Sequence, residues 1–169
     1  IVILILIMSI SKAYGNCNQS ISKSKIVTAG GSITEIIYFL GVQDRLVGVD
    51  ITSNFPKETK KLKSIGYLRN LSIEGILSLN PKLVLAEEDI GPPIIVDQLR
   101  KTSTELRIIK TKNTLNGIHN KILCVAKILN VHLDNNKKYI ELQDMLETVK
   151  KLDKPDRSDI KKILLILMM

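Results

Sequence analysis

Four short apolar runs, at residues 25–29 (KIVTA), 45–50 (RLVGVD), 83–86 (LVLA) and 106–109 (LRII), recur along this chain of 169 residues, with helical patterns between them. Each is short for a helix, so each reads as a strand. Strands that alternate with helices imply an α/β fold, a Rossmann-like lobe with a mostly parallel sheet. In such a sheet ligands bind at the loops beyond the carboxyl ends of the strands. Here those loops are Gly30-Gly31, residues 51–69 and residues 87–93.

The helices have recognisable punctuation. Ser32-Ile33-Thr34-Glu35 has the form of a capping box and opens a helix that ends at Gly41. Ser72 is placed to cap a short helix carrying Ile73, Ile76, Leu77 and Leu79, which Asn80-Pro81 stops. An amphipathic stretch covers 94–101, and a longer helix sets Leu115, Ile118, Ile122, Ala126 and Leu129 on one stripe. A second helical segment over 135–152 carries Tyr139, Leu142, Leu146 and Val149. The last eight residues, KILLILMM, read as a buried strand.

Residues 1–8 are uninterrupted aliphatics, followed by Ala13-Tyr14-Gly15. The run is too short to span a bilayer and fits the apolar core and cleavage site of a partial signal peptide over 1–15. A lipid anchor on Cys17 is disfavoured because Asn16 precedes it. With only Cys17 and Cys124 present, no disulfide framework is expected, and Cys124 reads as an inert core residue. The net charge of +8 comes from lysines spread along the chain, and with no Trp and six other aromatics there is no stacking platform for nucleic acid. His119 and His132 lack partners at metal-ligand spacing, and no nucleophile elbow or catalytic triad is present, so an enzyme is not expected. Gly30-Gly31 lacks the further spacing of a nucleotide motif and reads as a tight turn at a cleft rim. Asp50 reads as a strand-end cap, and Glu87, Glu88 and Asp89 as a solvated loop.

The segment 66–93, GYLRNLSIEGILSLNPKLVLAEEDIGPP, carries the most specific signal. With TAGGSITEIIYFLG and DRLVGVD before it, it resembles the periplasmic haem-binding proteins of bacterial ABC importers, within the wider group that also binds ferric siderophores and cobalamin. The L-x-P-x-L-V-L-A piece is common to the group. The G-Y-x-R-x-L-S-x-E-G and G-P-P pieces look like the haem-binding branch. By resemblance, Tyr67 is the axial ligand to haem iron, and Arg69 stabilises its phenolate or pairs with a propionate. A phenolate is a hard anionic ligand suited to ferric iron, and a phenol that ordinarily titrates near 10 needs a metal or a cation to ionise at neutral pH. On extended backbone, residues 67 and 69 would share a face. Glu74, in the first turn of its helix, complements the helix dipole and matches the acid that docks on the permease in this group.

The resemblance implies two similar lobes joined by a long helix. The expected organisation is therefore an N-terminal ligand-binding lobe over 16–133, a connecting helix over 134–154 and, at 155–169, the start of a truncated second lobe. It also implies a monomer in the periplasm that captures haem and delivers it to an inner-membrane ABC permease. A ferric siderophore or cobalamin protein, or a non-functional fragment of such a protein, are the alternatives.

Overall fold

A computed structural model describes residues 17–22 and 24–152. The signal segment expected over 1–15 and the strand expected over 162–169 lie outside the described residues. The chain divides into two compact units, one up to His132 and one from Leu133.

In the first unit β1 (Ile26–Ala29) runs into α1 (Gly31–Phe39), and a 3-10 turn at Gln43–Arg45 leads to β2 (Leu46–Val49). A second 3-10 turn, Lys57–Lys61, precedes the edge strand β3 (Lys63–Ser64). Then come β4 (Gly66–Tyr67), β5 (Asn70–Leu71), α2 (Ile73–Leu77), β6 (Leu83–Glu87), α3 (Pro93–Arg100), β7 (Glu105–Ile109) and α4 (Leu115–Leu129). The second unit holds α5 (Lys137–Leu152), a helix with Ile140, Met145 and Val149 exposed and a Lys150–Glu147 ion pair at 2.8 Å.

Five strands form a wholly parallel sheet in the order β3-β2-β1-β6-β7, as the alternating pattern predicts. Its inner strands are covered on both faces, which is why they read as continuous apolar runs rather than alternating ones. Val27, Ala29, Val84 and Ala86 point to one side, where Ile76 of α2 and Val96 and Leu99 of α3 join them in one core cluster. Thr28 points to the other side and its hydroxyl bonds Thr34 of α1 at 2.6 Å, which places α1 there, against α4. The chain starts in the middle of the sheet, moves outward through β2 and β3, and crosses back to β6. The order of strands therefore reverses between β1 and β6.

Local punctuation is partly as expected. Ser72 caps α2, accepting from the Gly75 N–H at 3.1 Å, and Thr114 caps α4 through the Gly117 N–H at 3.0 Å. Asn130, in the left-handed region at φ 55°, ends α4. The capping box at 32–35 does not form. Gly30 is the residue at the start of α1, and Ser32 turns its hydroxyl to Glu87 at 2.5 Å because a tertiary acceptor lies within reach. Of the expected α4 stripe, Ile122, Ala126 and Leu129 are buried but Ile118 is half exposed.

The reading of Cys124 as an inert thiol is corrected: it forms a disulfide with Cys17, across 107 residues of sequence. No spacing rule could signal that pairing, because the fold alone brings the amino-terminal segment onto α4. The same segment is tied down further by the Ser20 N–H to the Ile128 carbonyl (2.9 Å), and by the Ser20 hydroxyl and Ile21 N–H to Glu105 Oε2 (2.6 and 3.1 Å).

Two predictions follow from this strap. A cross-link closing so long a loop restricts the unfolded chain, so a Cys17→Ser/Cys124→Ser variant should lose about 2–4 kcal/mol of unfolding free energy in urea titration; an unchanged value would mean that the bond does not form in solution. Burial pushes the Glu105 carboxyl up, but bonds from Ser20, Arg107 and the Ile21 N–H outweigh it and hold the group below its ordinary value of 4.5. The contribution of the Glu105 bonds is then complete above that value and is lost as pH falls through the lowered one. The protection factor of the Ile21 amide, corrected for the intrinsic pH dependence of exchange, should fall only there.

Candidate functional site

Three loops leave the carboxyl ends of β1, β2 and β6, and a buried acid organises the first two. Asp50 is 1% exposed and accepts four hydrogen bonds: from the Gly30 N–H (2.9 Å) and Ser53 hydroxyl (2.8 Å) at Oδ1, and from the Thr52 N–H (3.0 Å) and hydroxyl (2.5 Å) at Oδ2. Ser53 passes the network to Thr34 at 2.8 Å. The expected strand-end cap is therefore a hub joining two loops to α1.

The turn at Gly30-Gly31 is covered by protein. Gly30 has φ 127°, and a Cβ there would stand 2.4 Å from Glu87 Cγ, so no other residue fits. The Glu87 carboxylate lies over this turn and receives Lys121 Nζ at 2.9 Å as well as Ser32. Lys121 also donates to Ser32. The chain's own carboxylate thus fills the crevice where the strand order reverses, and Glu87 is a structural residue rather than a solvated one. Beside it a polar hollow of about 270 Å³ lies among Glu88, Asp89, Ile109, Thr111 and Lys121. That is below the roughly 300–1,000 Å³ of ligand pockets.

The loop expected over 66–71 is an antiparallel hairpin, β4 with β5, Gly66 opposite Leu71 and Tyr67 opposite Asn70. Its underside is apolar. Ile65, Leu68 and Leu71 are buried together with Ile90 in the core cluster under the sheet's end. Tyr67 and Arg69, alternating with these, face outward, Tyr67 at 40% exposure. Backbone bonds fasten the hairpin on both sides: the Ile51 N–H donates to the Gly66 carbonyl (2.9 Å), the Gly91 N–H to the Leu68 carbonyl (3.0 Å) and the Leu71 N–H to the Gly91 carbonyl (3.0 Å).

Arg69 lies in the hairpin turn, not on extended backbone as expected, because the chain reverses between residues 67 and 70. The guanidinium is held above its ordinary pKa first by its hydrogen bond to Asp89 and then by its electrostatic interaction with nearby Tyr67. Glu74 lies apart from this pair on exposed α2; the Ser72 hydroxyl donates to it at 2.8 Å and, with its own backbone N–H, holds its carboxyl below the usual range. Three exposed apolar residues stand at the same end of the sheet, Ile51 and Phe55 in the loop after β2 and Ile94 in the first turn of α3. The signal for Phe55 was a large apolar residue inside a polar, lysine-rich loop. Among the described residues, no group of three His, Cys, Asp or Glu side chains is placed to hold a metal ion.

The family profile described as periplasmic binding protein matches residues 26–168. The chain belongs to the periplasmic binding protein family. Over 77% of its length it superposes on the periplasmic heme-binding protein RhuT from Roseiflexus sp. RS-1, with a TM-score of 0.61 and 37% identity. Over 76% it superposes on the periplasmic vitamin B12 binding protein BtuF of Vibrio cholerae, with a TM-score of 0.65 and 26% identity. An uncharacterized ABC transporter substrate-binding lipoprotein of Bacillus subtilis (strain 168), YvrC, is 47% identical over 64 residues, 38% of this chain. These matches span 47% of RhuT, 50% of BtuF and 20% of the Bacillus lipoprotein, shares that for the two structures fit one lobe of such a family member.

The hub makes a direct prediction. Asp50→Ala leaves the buried Gly30 N–H and the part-buried Thr52 N–H without their acceptor, so unfolding free energy should fall by about 1–3 kcal/mol. A urea midpoint equal to that of the parent would remove Asp50 from this role.

Proposed function

We propose that this chain forms one wall of a haem-binding cleft in the periplasmic component of an ABC importer, with Tyr67 as the axial ligand to ferric iron and Arg69 as its electrostatic partner. The observation that carries this reading is the hairpin: a phenol and a guanidinium, two residues apart, both stand outward at the ligand end of a parallel sheet on a rigidly fastened support. Ferric iron favours hard anionic oxygen donors, and tyrosine is an established axial ligand of haem. Exposed Ile51, Phe55 and Ile94 suit the apolar faces of a porphyrin. The sequence identity to RhuT supports the same ligand class.

In this proposal residues 16–133 are the ligand-binding lobe and 134–154 the connecting helix, with the facing wall supplied by a second lobe that begins at 155–169. Glu74, exposed on α2, is the docking acid for the inner-membrane permease. Export to the periplasm agrees with the Cys17–Cys124 disulfide, since such bonds persist in oxidising compartments and are rare in reducing ones. The second reading is cobalamin capture, favoured by the likeness to BtuF.

Titrating hemin into the purified chain and into Tyr67→Phe, followed at the Soret band, tests the proposal. The variant should show a changed spectrum and lose at least the roughly tenfold affinity typical of losing a metal ligand's partner. Identical spectra and affinities would remove Tyr67 from the coordination sphere. Tight binding of cyanocobalamin or a ferric siderophore, with hemin failing to compete, would replace haem as the ligand.

A further inference from the structure

Arg69 and Asp89 are 20 residues apart, one in the hairpin turn and the other in the loop after β6. Two N–H groups of the guanidinium converge on Asp89 Oδ2, Nε at 3.0 Å and Nη2 at 2.8 Å. Exposed ion pairs are ordinarily worth little, because long side chains must be immobilised for a modest gain. Here much of that ordering is in place already. Gly91 bonds Leu68 and Leu71 on either side of Arg69, so the two backbones are fixed relative to each other, and the aspartate side chain is short. The approach is so close that a Cβ on Gly91 would lie 3.2 Å from the Arg69 carbonyl oxygen. A guanidinium held at Nε and Nη2 has its plane defined, and its Nη1 is left unused by Asp89.

We propose that Asp89 is a positioning residue of the ligand site, fixing the plane of the Arg69 guanidinium so that its remaining N–H groups serve the Tyr67 oxygen and the anionic edge of a bound ligand. For its affinity arm this rests on the haem reading above; the positioning itself does not. Charge alone makes the opposite forecast. An aspartate near an anionic ligand repels it, so removing that charge would tighten binding, whereas losing a positioning residue weakens it.

The experiment uses the full chain with ¹³Cζ-labelled tyrosine. In the ligand-free protein, Asp89→Asn should move the Tyr67 resonance, identified with Tyr67→Phe, and leave the other three tyrosines in place. In an Arg69→Ala background the same substitution should move nothing. In hemin titration Asp89→Asn should weaken binding about three- to fivefold, with part of the loss recovered in Asp89→Glu and no effect in the Arg69→Ala background. An unmoved Tyr67 resonance, tighter hemin binding by Asp89→Asn, or an equal effect without Arg69 would overturn the proposal. If the parent chain takes up no hemin, the haem reading fails while the tyrosine resonance still decides whether Asp89 positions Arg69.

Discussion

Asp50 lies at the carboxyl end of β2 with its carboxylate shielded from water, and the two loops nearest the centre of the sheet converge on it. Burying an ionised carboxylate is costly unless hydrogen bonds replace its hydration. Four short donors do so here, and their geometry fixes the turn after β1 relative to the loop after β2. Through Ser53 and Thr34 the same network reaches the first turns of α1, and through Thr28 it reaches the central strand. The loop after β2 then supports the Tyr67 hairpin by the Ile51 N–H, so the candidate site inherits its placement from a residue that takes no part in it.

The second support comes from β6. Its loop passes close under the hairpin turn at Gly91 and sends Ile90 into the same apolar cluster as Leu68 and Leu71. A two-stranded hairpin of this length has little stability alone. Packing beneath it and backbone bonds on both flanks make it a fixed platform. Meanwhile Glu87, Ser32 and Lys121 close the crevice between β1 and β6, where an α/β sheet of this order would otherwise hold a small anion. With that crevice closed, Tyr67 and Arg69 on the hairpin are left exposed at the carboxyl end of the sheet.

Much of this was legible in the residues. The runs at 25–29, 45–50 and 83–86 became the inner strands β1, β2 and β6, because strands buried on both faces must be apolar throughout, and the run at 106–109 became the half-buried edge strand β7. Ser72 caps its helix as expected, since an N-cap needs only a neighbour two or three residues on. Ser32 does not, because Glu87, 55 residues away, competes for its hydroxyl. The edge strand β3 and the hairpin were missed: each strand is two residues long, and nothing local distinguishes so short a strand from a loop.

By itself, then, the sequence determined the parallel α/β sheet, since periodicity is a property of neighbouring residues, and through a local motif it marked Tyr67 and Arg69 as candidates. The tertiary structure decided what those residues touch. Cys17 with Cys124, Arg69 with Asp89, Glu87 with Lys121 and Asp50 with Gly30 are separated by 107, 20, 34 and 20 positions. At such distances pairing is set by how the loops close over the sheet, a long-range geometry that no window of sequence contains.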